Sequence, residues 1–329
     1  MSLPKSLINW YGGKNKLARQ IISIMPEHEH YVEVFMGGGA VFFQKPKSKL
    51  NTINDLNSNL VNLYIQVRDH HEELMEKCYW TLRSREEYRK FYKLYQNDFK
   101  DIDGVTKAMM YLFLVQSSFS TQLQAGYSAS VSSNSASFNL DILEKIKMAR
   151  EKLDGVVIEN LSFEKLIPKF DRDTTTPLLY IDPPYYITSL QEGKKYYEKV
   201  MSKHQHEVLC SVLTKYKKPW ILSYDDLPEV VDMYKDFNIF RINVKYSAGK
   251  VGKNKQIDEL LITNFRSKKP QLDIFDESLV EIEDVQDEEK IQTSLDIKLK
   301  SEKELEEKLK EPVIVNRPES AGEQGALFD

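Results

Sequence analysis

Leu178-Leu179-Tyr180-Ile181-Asp182-Pro183-Pro184-Tyr185 is the stretch on which the fold and the chemistry of this 329-residue chain turn. The four apolar residues read as a buried parallel strand, since the run is too short for an ordinary helix. Two prolines then end regular structure, because neither has an N–H to donate and each holds its φ fixed. A rigid turn is therefore expected at the carboxyl end of a strand, where open α/β sheets place their ligands. That turn carries the Asp182 carboxylate, the Pro183 carbonyl and the rings of Tyr185 and Tyr186. The carboxylate and the carbonyl can accept both hydrogens of an exocyclic amine on a flat base, and Tyr185 can stack on the ring. Two acceptors on those hydrogens favour a pyramidal nitrogen whose lone pair faces an electrophile. A plainer reading makes the prolines a strand stop and Asp182 a helix cap. The rest of the chain decides between them.

Upstream, Tyr31-Val-Glu-Val-Phe35 reads as the first central strand, followed by Met36-Gly37-Gly38-Gly39-Ala40 and an apolar helix start at Val41-Phe42-Phe43. This strand, glycine loop and helix form a nucleotide-type binding unit. It lacks both the full dinucleotide spacing and the Gly-Lys-Ser/Thr of a phosphate loop, which favours S-adenosylmethionine over a nucleoside triphosphate. A second strand, Asn51 to Asn54, ends at Asp55, about twenty residues after the loop, where an acidic residue takes a ribose hydroxyl pair. Asp55 also suits the N-cap of a helix over Leu56 to Asp69. Before all of this, Trp10-Tyr-Gly-Gly-Lys14 offers a ring, a flexible turn and a cation ahead of a helix over Leu17 to Met25.

The alternation of strand and helix lapses over residues 71–150. Glu72 to Phe99 is helical in pattern and rich in Tyr, Arg and Lys, and Ala108 to Val115 is an apolar helix. Gln116 to Asn139 has no periodicity and fills with Ser, Gln, Asn and Gly, as long functional loops do. Gln116, Ser118, Gln122 and Gln124 are side chains of the kind that read base edges. Alternation then resumes with strands at Val156 to Ile158, Leu178 to Ile181 and Trp220 to Tyr224. Two more, Asn238 to Val244 and Asp258 to Phe265, are expected as an antiparallel edge pair. The basic, glycine-bearing Lys245 to Lys255 between them, with Lys250 and Lys253, suits a grip on a nucleic-acid backbone.

The formal net charge of −4 hides an asymmetry: residues 271–329 hold 18 acidic and 7 basic residues, leaving 32 and 39 for the body. A basic body suits a nucleic-acid substrate. The last sixty or so residues are charged and short of aromatics, which predicts a flexible extension from about 267 with one helical stretch, Glu302 to Lys310. No run approaches the ~20 apolar residues of a membrane span. The first fourteen residues lack an apolar signal region, and Cys78 and Cys210 form no metal-spaced motif. A reduced, cytosolic protein that needs no metal is expected.

Taken in order, Trp10-Tyr-Gly-Gly-Lys14, Glu33-Val-Phe-Met-Gly-Gly-Gly39, Asn54-Asp55, an insertion, Asp182-Pro-Pro-Tyr185, Leu222-Ser-Tyr-Asp225 and Glu259-Leu-Leu-Ile-Thr-Asn264 resemble the Dam-like N6-adenine-specific DNA methyltransferases over about residues 7–266. The resemblance implies an α/β fold, a mostly parallel seven-stranded Rossmann-like methyltransferase sheet. It divides the chain into a first part of the catalytic domain (1–70), an inserted helical target-recognition domain (71–150), a second catalytic part (151–266) and a flexible acidic tail (267–329). It further implies that Trp10, Lys14, Glu33, Phe35, Gly37, Gly39, Asp55, Phe163 and Asp182 line a cofactor pocket for S-adenosylmethionine. Asp182, Pro183, Pro184 and Tyr185 would grip a flipped adenine of double-stranded DNA. Where relatives that act on GATC carry an Asn-Arg pair, this chain reads Val115-Gln116-Ser117-Ser118-Phe119-Ser120, a departure in the segment that reads the site. A cytosine N4 methyltransferase and a catalytically silent DNA-binding relative are the alternatives. Two short peptides, Gln271-Leu-Asp-Ile-Phe275 and Gln324-Gly-Ala-Leu-Phe328, look like those that dock bacterial proteins on the replication sliding clamp. A cognate restriction endonuclease is the other partner the resemblance brings, and the expected location is cytoplasmic, at the nucleoid.

Overall fold

Short apolar runs build the centre of the sheet. In a computed structural model of the chain, the described residues are 6–8, 10, 12–118, 123, 126–127, 140–186, 201–246, 255–267 and 279–284. β1 (His30–Glu33), β2 (Leu50–Asn54), β3 (Val157–Glu159), β4 (Pro177–Ile181) and β5 (Trp220–Asp225) are all parallel where they pair. Every residue of β1, β4 and β5 is buried, as strands covered by helices on both faces must be. β6 (Asn238–Tyr246) and β7 (Lys255–Thr263) form the expected antiparallel pair.

The order across the sheet is β3-β2-β1-β4-β5-β7-β6-β8. The chain winds outward from β1 through β2 to β3, then returns to the other side of β1 for β4 and β5. The crevice between the carboxyl ends of β1 and β4 is thus the switch point of the topology. An eighth strand, β8 (Leu279–Asp284), adds to the seven expected and lies within the stretch expected as a flexible tail from residue 267. It pairs antiparallel with β6 and gives that strand's outer backbone groups their partners. The compact unit runs from Met1 to Val285. The helix expected at Glu302 to Lys310 and both clamp-like peptides lie outside the described residues.

Helices α1 (Ala18–Ser23) and α2 (Ala40–Gln44) flank the amino-terminal strand. The cap of α3 (Ser58–Asp69) is Asn57, whose side chain accepts the Asn59 and Leu60 amides; Asp55 is therefore not the cap. α4 (His71–Trp80) and α5 (Arg85–Gln96) divide the single helical pattern expected from Glu72 to Phe99. α6 (Gly104–Ser117) is buried around nearly its whole circumference, because α3, α4 and α5 all pack on it. α7 (Leu140–Leu153) packs on α3 and α4. The insertion consequently shares one apolar core with α3, and residue 70 is no boundary between compact units. α8 (Phe163–Asp171), α9 (Lys203–Lys215) and α10 (Pro228–Met233) complete the described helices. No helix among the described residues is long and apolar enough to cross a membrane.

Candidate active site

At the switch point lies a cavity of about 470 Å³. Its walls are the segment around Trp10 and Lys14, the loop that follows β1, the end of β2 and the Asp182–Tyr185 turn, with Met201 and Gln205 from the start of α9. Of the residues expected to hold a cofactor, Trp10, Lys14, Glu33, Phe35, Gly37, Gly39, Asp55 and Asp182 all line it. Phe163 does not; it is buried against Phe35, ring centroids 6.0 Å apart.

The glycine loop is held from four directions. Gly37 and Gly39 have φ of 46° and 66°, left-handed values that a side chain would strain. A Cβ on Gly37 would also stand 2.9 Å from the Trp10 indole, so the ring packs directly under the loop. Above, the Gly37 N–H donates to Asp55 Oδ2 at 2.9 Å and the Gly37 carbonyl accepts the Tyr64 hydroxyl at 2.8 Å. The Met36 amide donates to the Asn54 carbonyl at 2.7 Å. Asn54 in turn donates to the Val34 and Leu161 carbonyls and accepts the Leu161 amide, tying the ends of β1 and β2 to the segment after β3. Asn57, which lines the cavity, donates to the Tyr111 hydroxyl, so α6 reaches the cavity wall through a hydrogen bond.

Across the cavity, the Asp182–Tyr185 turn is pinned by β5. The Tyr186 amide donates to Asp225 Oδ1 at 3.0 Å, and the Tyr186 ring packs on His206. Burial pushes His206 down to about 4, so it stays a neutral, hydrogen-bonded partner of the Tyr224 hydroxyl. Lys14, 3% exposed, sends its ammonium into the turn. Its Nζ is 2.9 Å from Asp182 Oδ1 and 3.7 Å from Glu259 Oε2, donates to the Gly12 carbonyl at 3.0 Å, and lies 4.6 Å from the centre of the Tyr185 ring. Burial raises the pKa of Asp182 above the usual carboxylate range and the Lys14 ammonium opposes it; the same two effects act on Glu259. Glu33, at the end of β1, is pushed up to about 8 by burial, although it accepts the Tyr31 hydroxyl at 2.6 Å.

The expected base-reading residues separate. Gln116 and Ser118 end α6: Gln116 donates to the Leu7 carbonyl, and Ser118 is buried, donating to the Leu114 carbonyl and sharing a hydrogen bond with Tyr88. Gln122, Gln124, Lys250 and Lys253 lie outside the described residues. For Glu259 and Asp225 the local sequence signals no role, and for Tyr64 and the capping Asn57 it signals no more than a helix and its start.

Comparison with known proteins bears on the same residues. The family model of the D12 class N6 adenine-specific DNA methyltransferases matches residues 10–248. The chain belongs to that family. It is 29% identical over 278 residues to the type II methyltransferase M1.LlaDCHI of Lactococcus lactis subsp. cremoris, covering 78% of this chain and 94% of the relative. The DNA adenine methylase of Escherichia coli strain K12 is 21% identical over 269 residues, covering 79% and 95%. The type II methyltransferase M.MjaIII of Methanocaldococcus jannaschii is 28% identical over 203 residues, covering 55% and 69%. The family and the named relatives agree on an adenine-specific DNA methyltransferase.

Proposed function

We propose that the chain uses S-adenosylmethionine to methylate the N6 amine of an adenine turned out of double-stranded DNA, at a specific site. The observation that carries this reading is the opposition, across one cavity, of a cradled glycine loop and the Asp182–Tyr185 turn. The cavity suits the cofactor in size and in charge: it offers the Phe35 ring for a base, and the two aspartates on its wall, Asp55 and Asp182, face the single Lys14 ammonium, while Glu33 there holds its proton below about pH 8, a balance that favours a sulfonium cation. Trp10, Lys14, Glu33, Phe35, Gly37, Gly39 and Asp55 hold it, with Phe163 against Phe35. When bound, S-adenosylmethionine supplies the electrophilic methyl.

The protein's own part is positioning and electrostatics. Asp182 and the Pro183 carbonyl accept the two amine hydrogens and turn the nitrogen lone pair toward the cofactor. Pro184 keeps the turn rigid, and Tyr185 stacks on the base. Extruding the base costs a few kcal/mol, of which stacking on Tyr185 returns roughly 1–3 kcal/mol. Gln116, Gln122 and Gln124 read the site, Ser118 anchors the segment that carries them, and Lys250 and Lys253 hold the backbone. In the cell the enzyme works in the cytoplasm on nucleoid DNA. Docking on the sliding clamp through Gln271–Phe275 or Gln324–Phe328, and pairing with a cognate restriction endonuclease, are extensions of this reading. Loss of clamp retention on Phe275→Ala plus Phe328→Ala checks the first.

The deciding experiment incubates the protein with labelled S-adenosylmethionine and DNA from a host without methylation, hydrolyses the DNA and identifies the labelled nucleoside. N6-methyladenine is expected. N4-methylcytosine, or no label, would overturn the reading.

A further inference from the structure

The Lys14 ammonium stands on both groups that receive the target base in the reading above, and the inference rests on that reading. Its Nζ is 2.9 Å from Asp182 Oδ1 and 4.6 Å from the centre of the Tyr185 ring. In its present place the ammonium takes up an acceptor site of that carboxylate oxygen and one face of that ring, the places an incoming amine and base would use. Yet Lys14 is almost wholly buried, and a buried ammonium that releases its carboxylate must find another at once.

A second carboxylate is already there. Glu259 lies on β7, 3% exposed, with Oε2 3.7 Å from Lys14 Nζ. It stands opposite Asp225 in the antiparallel ladder of β5 and β7, and Asp225 is the residue that fixes the Tyr186 amide. One rung of the sheet therefore pins the turn and delivers the second counter-ion. A shift of about one ångström brings the Lys14–Glu259 contact to the 2.7–2.9 Å typical of charge-assisted hydrogen bonds. The Gly12 carbonyl, 3.0 Å from Nζ, provides a pivot two residues away.

We propose that Lys14 is a placeholder for the target amine, and that Glu259 is the positioning residue to which it withdraws when the base enters. The withdrawal keeps the buried charge paired throughout and frees Asp182 and Tyr185 only when something replaces the ammonium.

Thermal melts of the full chain with Asp182→Asn, Glu259→Gln and the two combined test the exchange without turnover. Each single change leaves Lys14 one of these two carboxylates and lowers the midpoint by no more than about 3 °C; the pair removes both and lowers it by about 8 °C or more. Losses that merely add would overturn the proposal. In single-turnover methylation, Glu259→Gln slows the reaction at least about tenfold while calorimetric affinity for S-adenosylmethionine stays within about twofold, and Glu259→Asp restores most of the rate. A Glu259→Gln enzyme at the wild-type rate, or one in which affinity falls with rate, would also overturn it. Coupled melts in a protein that makes no N6-methyladenine would refute the methyl-transfer reading and leave the exchange standing. Additive melts in an active enzyme would refute the exchange alone.

Discussion

The Gly37 amide donates to Asp55 Oδ2 at 2.9 Å, while Asp55 Oδ1 accepts the Asn57 amide at 2.8 Å. One carboxylate thus joins the glycine loop to the cap of α3. Asp55→Ala should loosen the loop as well as remove a cavity acceptor, and weaken S-adenosylmethionine at least about tenfold. Titration calorimetry reads this directly, and an unchanged affinity would remove Asp55 from the pocket.

Asp182→Ala should leave the fold intact, since Lys14 keeps Glu259 as a counter-ion. Turnover should fall by about 10²–10³, the loss typical of removing one preorganised electrostatic partner. Single-turnover methylation within about tenfold of wild type would contradict the paired-acceptor role.

Glu33 makes stability depend on pH in an unusual direction. Its folded pKa, about 8, lies above its unfolded value, so the folded state holds a proton that the unfolded state has released. Its contribution is full in acid below the unfolded pKa and is lost as pH rises through about 8. Glu33→Gln should remove that loss, with the variant gaining on wild type by on the order of a few kcal/mol toward pH 8. Melts across pH 5–8.5 with a constant difference between the two proteins would sink the assignment.

Asn54→Ala should cost about 2–4 kcal/mol, because it leaves the Val34 and Leu161 carbonyls and the Leu161 amide without their partner at the heart of the sheet. Urea unfolding measures it. A cost under about 1 kcal/mol would mean that water replaces the side chain at no penalty.

How much of this was legible depended on distance along the chain. Leu178 to Ile181 declared a buried strand because its whole signal is local, and the turn after it followed from two prolines. Asp55 was legible as a pocket residue from its spacing to the glycines. That it clamps Gly37, and that Asn57 takes the cap, depends on which of two adjacent polar groups the backbone reaches first. Glu259 carries no local signal of its role, since its meaning arises from an ammonium 245 positions earlier in the chain. Asn54 and Leu161, 107 residues apart, pose the same difficulty. β8 was hidden by composition: Leu279–Asp284 is half acidic, and an edge strand needs no apolar face of its own to satisfy a neighbour's backbone.

That strand matters to anyone who shortens the protein. A chain cut after Arg266, where the family resemblance ends, would strip the pairing that Leu279–Asp284 gives to β6 from Phe240 to Val244. The bared row of amides and carbonyls is a template for a strand from a neighbouring molecule. The truncated enzyme would then precipitate or form filaments for a reason unrelated to its catalytic centre, and the safe place to trim is beyond Val285.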